Sequence, residues 1–229
     1  MTQIIYLHRF LKRLFLIRTE LEQLLFVSIF FGVMMVTTRV IYTSSIHFVF
    51  LVWNLFLAFI PYAITHFLTI RPSWITSKTK FIAALIVWIL FIPNSFYILT
   101  DLYHLNDQHN VPAWFDLLMI ISFAWNGLML GILSVRQMEK IIEAKLLYRN
   151  EILFIYPIMW LNALGVYIGR YMRFNSWDVI TNPLSLTGDI IEILIHPLRY
   201  FNAWGMIILF SVFMTIIYLT LKKISRTIW

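Results

Sequence analysis

Cysteine is absent from the 229-residue chain, which excludes disulfides, thiol catalysis, zinc–thiolate sites and iron–sulfur clusters and leaves the redox compartment unread. Charge is nearly as scarce. Asp, Glu, Lys and Arg make up 13% of the residues, against 61% apolar and 17% aromatic, whereas a soluble domain carries about 25% charged and about 45–50% apolar residues. A chain with so little charge to wet its surface belongs in a bilayer. Six helices of ~20 residues would use ~120 positions, and the remainder is taken up by loops, ends and one longer segment. No low-complexity tract or linker marks a second domain, so residues 1–229 read as a single integral membrane domain.

Apolar runs predict spans near 21–42, 47–70, 81–100, 114–135, 152–171 and 203–221. The first run is too long for a cleaved signal peptide and is expected to stay as an anchor. Basic residues fall on alternate connections: Arg9, Lys12, Arg13 and Arg18; Arg71, Lys78 and Lys80; Arg136, Lys140, Lys145 and Arg149; Lys222, Lys223 and Arg226. By the positive-inside rule these connections are cytoplasmic, and so are both termini. The expected fold class is all-α, a polytopic membrane bundle of about six transmembrane helices. The net charge of +7 then encodes orientation and contact with membrane lipids rather than nucleic-acid binding. Arg39 stands near the outer end of its span, where a long side chain can snorkel to the headgroups.

Polar groups inside the spans are few. Asn54, Asn94, Asn126 and Asn162, with Ser122 and Ser211, are accompanied by no acid or base near mid-depth, which argues against a proton-coupled transporter or ion pump. The asparagines are expected to tie helices together by hydrogen bonds; a polar path is the alternative. Gly165 and Gly169 form a small-x-x-x-small pair that permits close helix approach. Pro61 and Pro93 are expected to kink their helices and free carbonyls that neighbouring polar groups can satisfy.

Chemistry concentrates on the outer face. The third span ends in Pro93-Asn94-Ser95-Phe96-Tyr97-Ile98-Leu99-Thr100-Asp101, followed by His104, Asp107 and His109, and the fourth opens with Pro112 to Asp116. Asp101 and His104, three apart, share a face if the helix continues. After the fifth span comes Gly169-Arg170-Tyr171-Met172-Arg173-Phe174-Asn175-Ser176-Trp177-Asp178. Arginine's planar donor fork suits carboxylate or phosphate. Arg170 and Arg173, with Asn175, Trp177, Asn94 and Tyr97, are therefore candidates for holding a phosphate-bearing headgroup. Asp101, Asp116, Asp178 and His104 are the candidates for acid or base work. The structural alternative is that the arginines pair with Asp101, Asp116 or Asp178 and lock helices together. The ends of the third and fifth spans and the start of the fourth are expected to bring Asp101, Asp116, Arg170, Arg173 and Asp178 into one cluster.

Asp101, His104 and Asp107 offer oxygen and imidazole ligands for a divalent ion, but their spacing matches no zinc motif, and no metal or other cofactor is assigned. Ser95 and Ser176 lack the G-x-S-x-G elbow of a serine nucleophile. Between the fifth and sixth spans, Asn182 can cap and Pro183 can open a helix. Asp189, Glu192 and His196 then share one face, so residues 182–200 read as an interfacial helix with a solvated polar stripe. A re-entrant segment is the alternative.

Several of these motifs carry a resemblance. The runs Trp53 to Tyr62, Phe91-Ile92-Pro93-Asn94 through Asp101-Leu102-Tyr103-His104-Leu105, Pro112 to Asp116, and Gly169-Arg170 through Asp178 with Asn182-Pro183 resemble those of a bacterial membrane family catalogued as domain of unknown function 1361. The family pattern often reads Pro-Asn-Ala-Pro-Tyr where this chain has Ser95 and Phe96, and Trp where it has Phe174. The resemblance implies a multi-spanning plasma-membrane protein and brings no established activity or catalytic residue.

Two functional classes follow. One is an outward-facing site that binds or processes a lipid-linked or phosphate-bearing substrate at the outer leaflet. The other is a noncatalytic assembly partner or transporter subunit, with a membrane-protein partner, whose charge cluster is structural.

Overall fold

The computed structural model describes residues 20–105, 111–146, 151–174 and 176–227. Arg9, Lys12, Arg13, Arg18, Asp107, His109 and Arg149, on which part of the sequence reading rests, lie outside the described residues. Regular structure among the described residues is entirely helical. Helix α1 (Glu20–Thr43) is followed by a short 3₁₀ helix (His47–Val49) that leads into α2 (Phe50–Ile70). The five-residue α3 (Pro72–Thr76) precedes α4 (Lys78–Tyr97), which continues as a 3₁₀ helix (Ile98–His104). Then come α5 (Ala113–Leu146), α6 (Glu151–Tyr171), the short α7 (Asp178–Thr181), α8 (Pro183–Ile195) and α9 (Phe201–Thr227). Six of these, α1, α2, α4, α5, α6 and α9, are long and apolar enough to cross a membrane.

Helix α5 is the hub. Its apolar window is 72% buried, against 22–44% for the other five. The apolar run stops near residue 135 because Arg136, Glu139 and Lys140 interrupt it, yet the 34-residue helix continues to Leu146. Val135, Met138 and Ile141 keep facing the core, so the charged positions ride on an amphipathic extension. At 1.5 Å per residue α5 is roughly 50 Å long, longer than the ~30 Å hydrocarbon layer. One buried cluster joins α4, α5, α6 and α9 around Trp88, Phe96, Met159 and Tyr218. A second joins α1, α2 and α5 around Val36, Leu51, Met119 and Phe123.

Lipid tails are as apolar as leucine, so close approach and polar ties must hold such helices together. A Cβ on Gly165 would meet Pro93 at 2.6 Å, which shows how closely α6 lies on α4. Prolines sit inside α2 (Pro61), α4 (Pro93) and α6 (Pro157), and polar side chains reach carbonyls in the turns before two of them. The Ser95 hydroxyl donates to the Ala58 carbonyl at 2.9 Å. Asn94 donates to the Phe91 carbonyl at 2.9 Å, and Ser176 to that of Leu90 at 3.4 Å. Asn54 and Asn94 do reach other elements, through Asp101 and Ser176. Among the described residues, Asn126 and Asn162 do not. Their amide donors stay within their own helices, on the Ser122 carbonyl and the Met159 sulfur, because each is turned along its helix rather than across a crossing.

Helix α8 stands between α6 and α9. Its 13 residues measure about 20 Å, too short to span. Leu186 and Ile193 are buried, and the Trp204 indole of α9 donates to the Ile193 carbonyl at 2.9 Å. On its outer side Arg199 meets Glu192 at 2.8 Å in an exposed pair, and a hydrogen bond to the same Glu192 raises the Tyr200 phenol above its usual range.

Candidate functional site

The 3₁₀ continuation of α4 sets the geometry. In a 3₁₀ helix residues i and i+3 eclipse, so Asp101 and His104 lie on one edge, with Thr100 beside them. Arg170, in the last turn of α6, spreads its guanidinium over that edge. Its Nε donates to Thr100 Oγ1 at 2.9 Å, Nη1 meets His104 Nε2 at 3.0 Å and Nη2 donates to Asp101 Oδ1 at 2.6 Å. A guanidinium has no acceptor, so His104 accepts at Nε2 and carries its proton on Nδ1. The second Asp101 oxygen accepts from Asn54 Nδ2 of α2 at 2.9 Å. With both oxygens occupied, buried Asp101 orients Arg170. The guanidinium also lies 4.7 Å from the Tyr97 ring centre and 5.8 Å from that of Tyr103. A Cβ on Gly169 would come within 3.2 Å of Tyr97, so the glycine gives that ring its room.

A cavity of about 280 Å³ opens beside this network. Asn54 and Tyr97, which touch Asp101 and Arg170, also line it, together with Asn94 and Ser176. Leu57, Leu161, Leu164 and Ile168 form apolar wall, and Leu186 and Ile190 of α8 close one side. Its polar lining therefore comes from Asn54 and Tyr97, which touch the Arg170 network, and from the separate Asn94–Ser176 pair. Arg170 keeps 14% of its side chain exposed, and three of its five N–H groups are engaged among the described residues.

The expected single cluster is divided. Asp116 belongs to another pair: Arg39 Nε donates to its Oδ1 at 2.6 Å and Nη2 to its Oδ2 at 3.0 Å. Arg39 does not snorkel. Each side chain is 1% exposed, and the guanidinium stacks 4.4 Å from the Phe48 ring centre. A bidentate carboxylate satisfies the fork without water, which is why the charge turns inward. Asp178 accepts from Thr181 at 2.9 Å. Arg173 is exposed, with φ 61°, a left-handed conformation that costs a non-glycine residue of order 1–2 kcal/mol. Trp177 is exposed, and Asn175 lies outside the described residues. Among the described residues no group of three or more His, Asp or Glu is arranged to hold a metal ion.

Sequence reasoning missed two further clusters at the opposite end of the bundle. Glu139 of α5 receives Arg136 at 2.5 Å, the Tyr218 hydroxyl at 2.6 Å and Lys222 at 2.6 Å, and Lys222 also meets Glu151 at 2.6 Å. The Tyr62 hydroxyl donates to Glu22 at 2.6 Å beside His66. The available signal was the buried 135, 138, 141 register, which carries Glu139 inward with it. We refer to the two faces as the Arg170 end and the Glu139 end.

Fold and site define a class: a multi-pass, all-helical membrane protein with an arginine–carboxylate network on the rim of an amphipathic cavity. Over residues 53–217 the chain matches the model of a family described as protein of unknown function (DUF1361), and the chain belongs to that family. The matched stretch contains the whole Arg170 network and its cavity; Arg39 lies before it. Searches of curated proteins and of solved structures found no match.

Proposed function

We propose that the Arg170 end binds an amphipathic, phosphate-bearing ligand such as a lipid-linked phosphate, with its polar head at Arg170 and its apolar part in the adjoining cavity. The carrying observation is continuity: Asn54 and Tyr97 belong both to the charged network and to the cavity wall. Two N–H groups of the pre-oriented guanidinium have no partner among the described residues and suit phosphate oxygens. Exposed Arg173, held in a strained backbone conformation three residues on, supplies further positive charge near the same helix end. The apolar walls accept a chain of limited size. A volume of about 280 Å³ corresponds to roughly nine water-sized groups at ~30 Å³ each, comparable with about ten methylenes. The site faces outward if the distribution of basic residues sets the orientation.

A second reading is favoured by one observation. The Asp101 contact neutralises Arg170 and ties α4 to α6, as a structural network in an assembly partner or transporter subunit would. Binding of decyl phosphate to the protein in nanodiscs, with decanol as the uncharged control, separates the two. The ligand-site reading expects saturable binding of decyl phosphate, at least tenfold tighter than decanol, and loss of that preference in Arg170→Lys at near-normal stability. The structural reading expects no such binding, a lower melting temperature in Arg170→Lys, and partial recovery when Asp101→Asn is added.

A further inference from the structure

On the outer flank of α2 and α4, away from the Arg170 cavity, a second hollow of about 540 Å³ runs toward the Glu139 end. Its lining is wholly apolar. Ala63, Ala83 and Ala84 leave the space, and the exposed rings of Phe56, Phe59 and Phe67 border it. From Phe56 to Phe67 the furrow follows three turns of α2, roughly 16 Å at 1.5 Å per residue. One leaflet of the ~30 Å hydrocarbon core is about 15 Å deep, so the furrow has the length of a single acyl chain in one leaflet.

At its mouth the chemistry changes. Trp74 of α3 lines the end of the furrow, packed edge-on to Phe67 at 5.1 Å, and the Lys80 ammonium lies 5.8 Å from the Trp74 ring centre. Tryptophan at this depth is an interfacial anchor. Arg71, Lys78 and Lys80 are all exposed around it, and among the described residues none is paired with a carboxylate. Lys145 of α5 donates to the Ile75 carbonyl at 2.6 Å and lies 4.6 Å from the Phe81 ring centre. It therefore fixes the short α3 that presents Trp74. An apolar trough one leaflet long, ending in an indole and three cations with no carboxylate partner among the described residues, has the charge and length of one kind of occupant.

We propose that the α2–α4 furrow is a binding site for an anionic glycerophospholipid of the leaflet at the Glu139 end. One acyl chain lies against Ala63 and Ala84, and the phosphate headgroup meets Arg71, Lys78 and Lys80. The site is independent of the Arg170 cavity and its ligand.

The test is native mass spectrometry of the full chain exchanged into an equal mixture of phosphatidylglycerol and phosphatidylcholine. Wild-type protein should retain phosphatidylglycerol preferentially, by about fivefold for each basic residue engaged. Arg71→Gln/Lys78→Gln/Lys80→Gln should bring the preference close to one. Ala84→Phe should remove retention of the lipid. A second measurement serves if Ala84→Phe fails to fold. Phosphatidylglycerol brominated on its acyl chain should quench the tryptophan emission lost in Trp74→Phe more strongly than brominated phosphatidylcholine does. Equal retention of the two lipids, an unchanged preference in the triple variant, retention undiminished in folded Ala84→Phe, equal quenching, or a helix of another protein occupying the furrow in place of lipid would each overturn the proposal.

Discussion

Two arginine–aspartate pairs stand at one end of this bundle and differ in nearly everything except chemistry. Arg39 and Asp116 meet through a two-point fork, both side chains 1% exposed, under the Phe48 ring. Beside them lies a smaller hollow of about 200 Å³ lined by Thr38, Arg39, Tyr42, Val111, Pro112 and Phe115. Arg170 touches Asp101 through one nitrogen, spends its other contacts on Thr100 and His104, and stays partly open beside a cavity with polar groups on its rim. The first pair is a closed strut between α1 and α5. The second is an arginine held out by its neighbours with hydrogen-bonding capacity to spare. Pairing alone therefore does not distinguish structure from function in a membrane bundle; access does.

The largest expected effect falls on the strut. Arg39→Met leaves Asp116 buried and unpaired, and should cost about 3–5 kcal/mol, measured as a fall in melting temperature or in the folded fraction in detergent. Arg39→Met with Asp116→Leu should recover most of that loss, because an apolar pair of similar volume replaces a buried ion pair at little net cost. If the double variant is as unstable as the single one, the strut is more than a satisfied charge pair.

The Glu139 centre should come next. Glu139→Gln removes the charge that Arg136, Tyr218 and Lys222 share, and should lower stability by about 1–3 kcal/mol. Lys222 keeps Glu151 as a partner, which limits the loss relative to the strut. Chemical denaturation of both variants in one detergent compares them directly.

The interior asparagines sharpen the comparison at smaller scale. Asn54→Leu should cost about 0.6–1.7 kcal/mol, because its amide links α2 to Asp101. Asn126→Leu should stay within about 0.5 kcal/mol, since its donor serves only its own helix and its Oδ1 has no hydrogen-bond partner among the described residues. Equal costs at the two positions would show that burial, rather than the cross-helix bond, sets their worth.

The fold was legible because hydrocarbon length and charge scarcity leave so few solutions. All six predicted runs correspond to helices, and the chief discrepancy is at the far end of α5. There charged residues ended the apolar run while every third or fourth position stayed buried, a pattern that a hydropathy run does not register. The site was legible in part. Asp101, His104 and Arg170 stood out as charges at span ends, and the i, i+3 spacing brought the first two together through a 3₁₀ rather than an α turn. Which carboxylate met which arginine was not legible, because Asp101 and Asp116 are equivalent in sequence terms and helix rotation alone turns one toward α6 and the other toward α1. The cavity was invisible for the same reason: it is made by five separate helices, through leucines and isoleucines that resemble every other apolar position.

The most direct test measures decyl phosphate binding and melting temperature together in Arg170→Lys and Arg39→Lys, in the same nanodiscs. Lysine keeps each charge and loses the fork. Arg170→Lys should bind decyl phosphate about tenfold more weakly while its melting temperature stays close to wild type, and Arg39→Lys should melt markedly lower while its folded fraction binds as wild type does. Unchanged binding in Arg170→Lys, or loss of stability in Arg170→Lys as large as in Arg39→Lys, would contradict this.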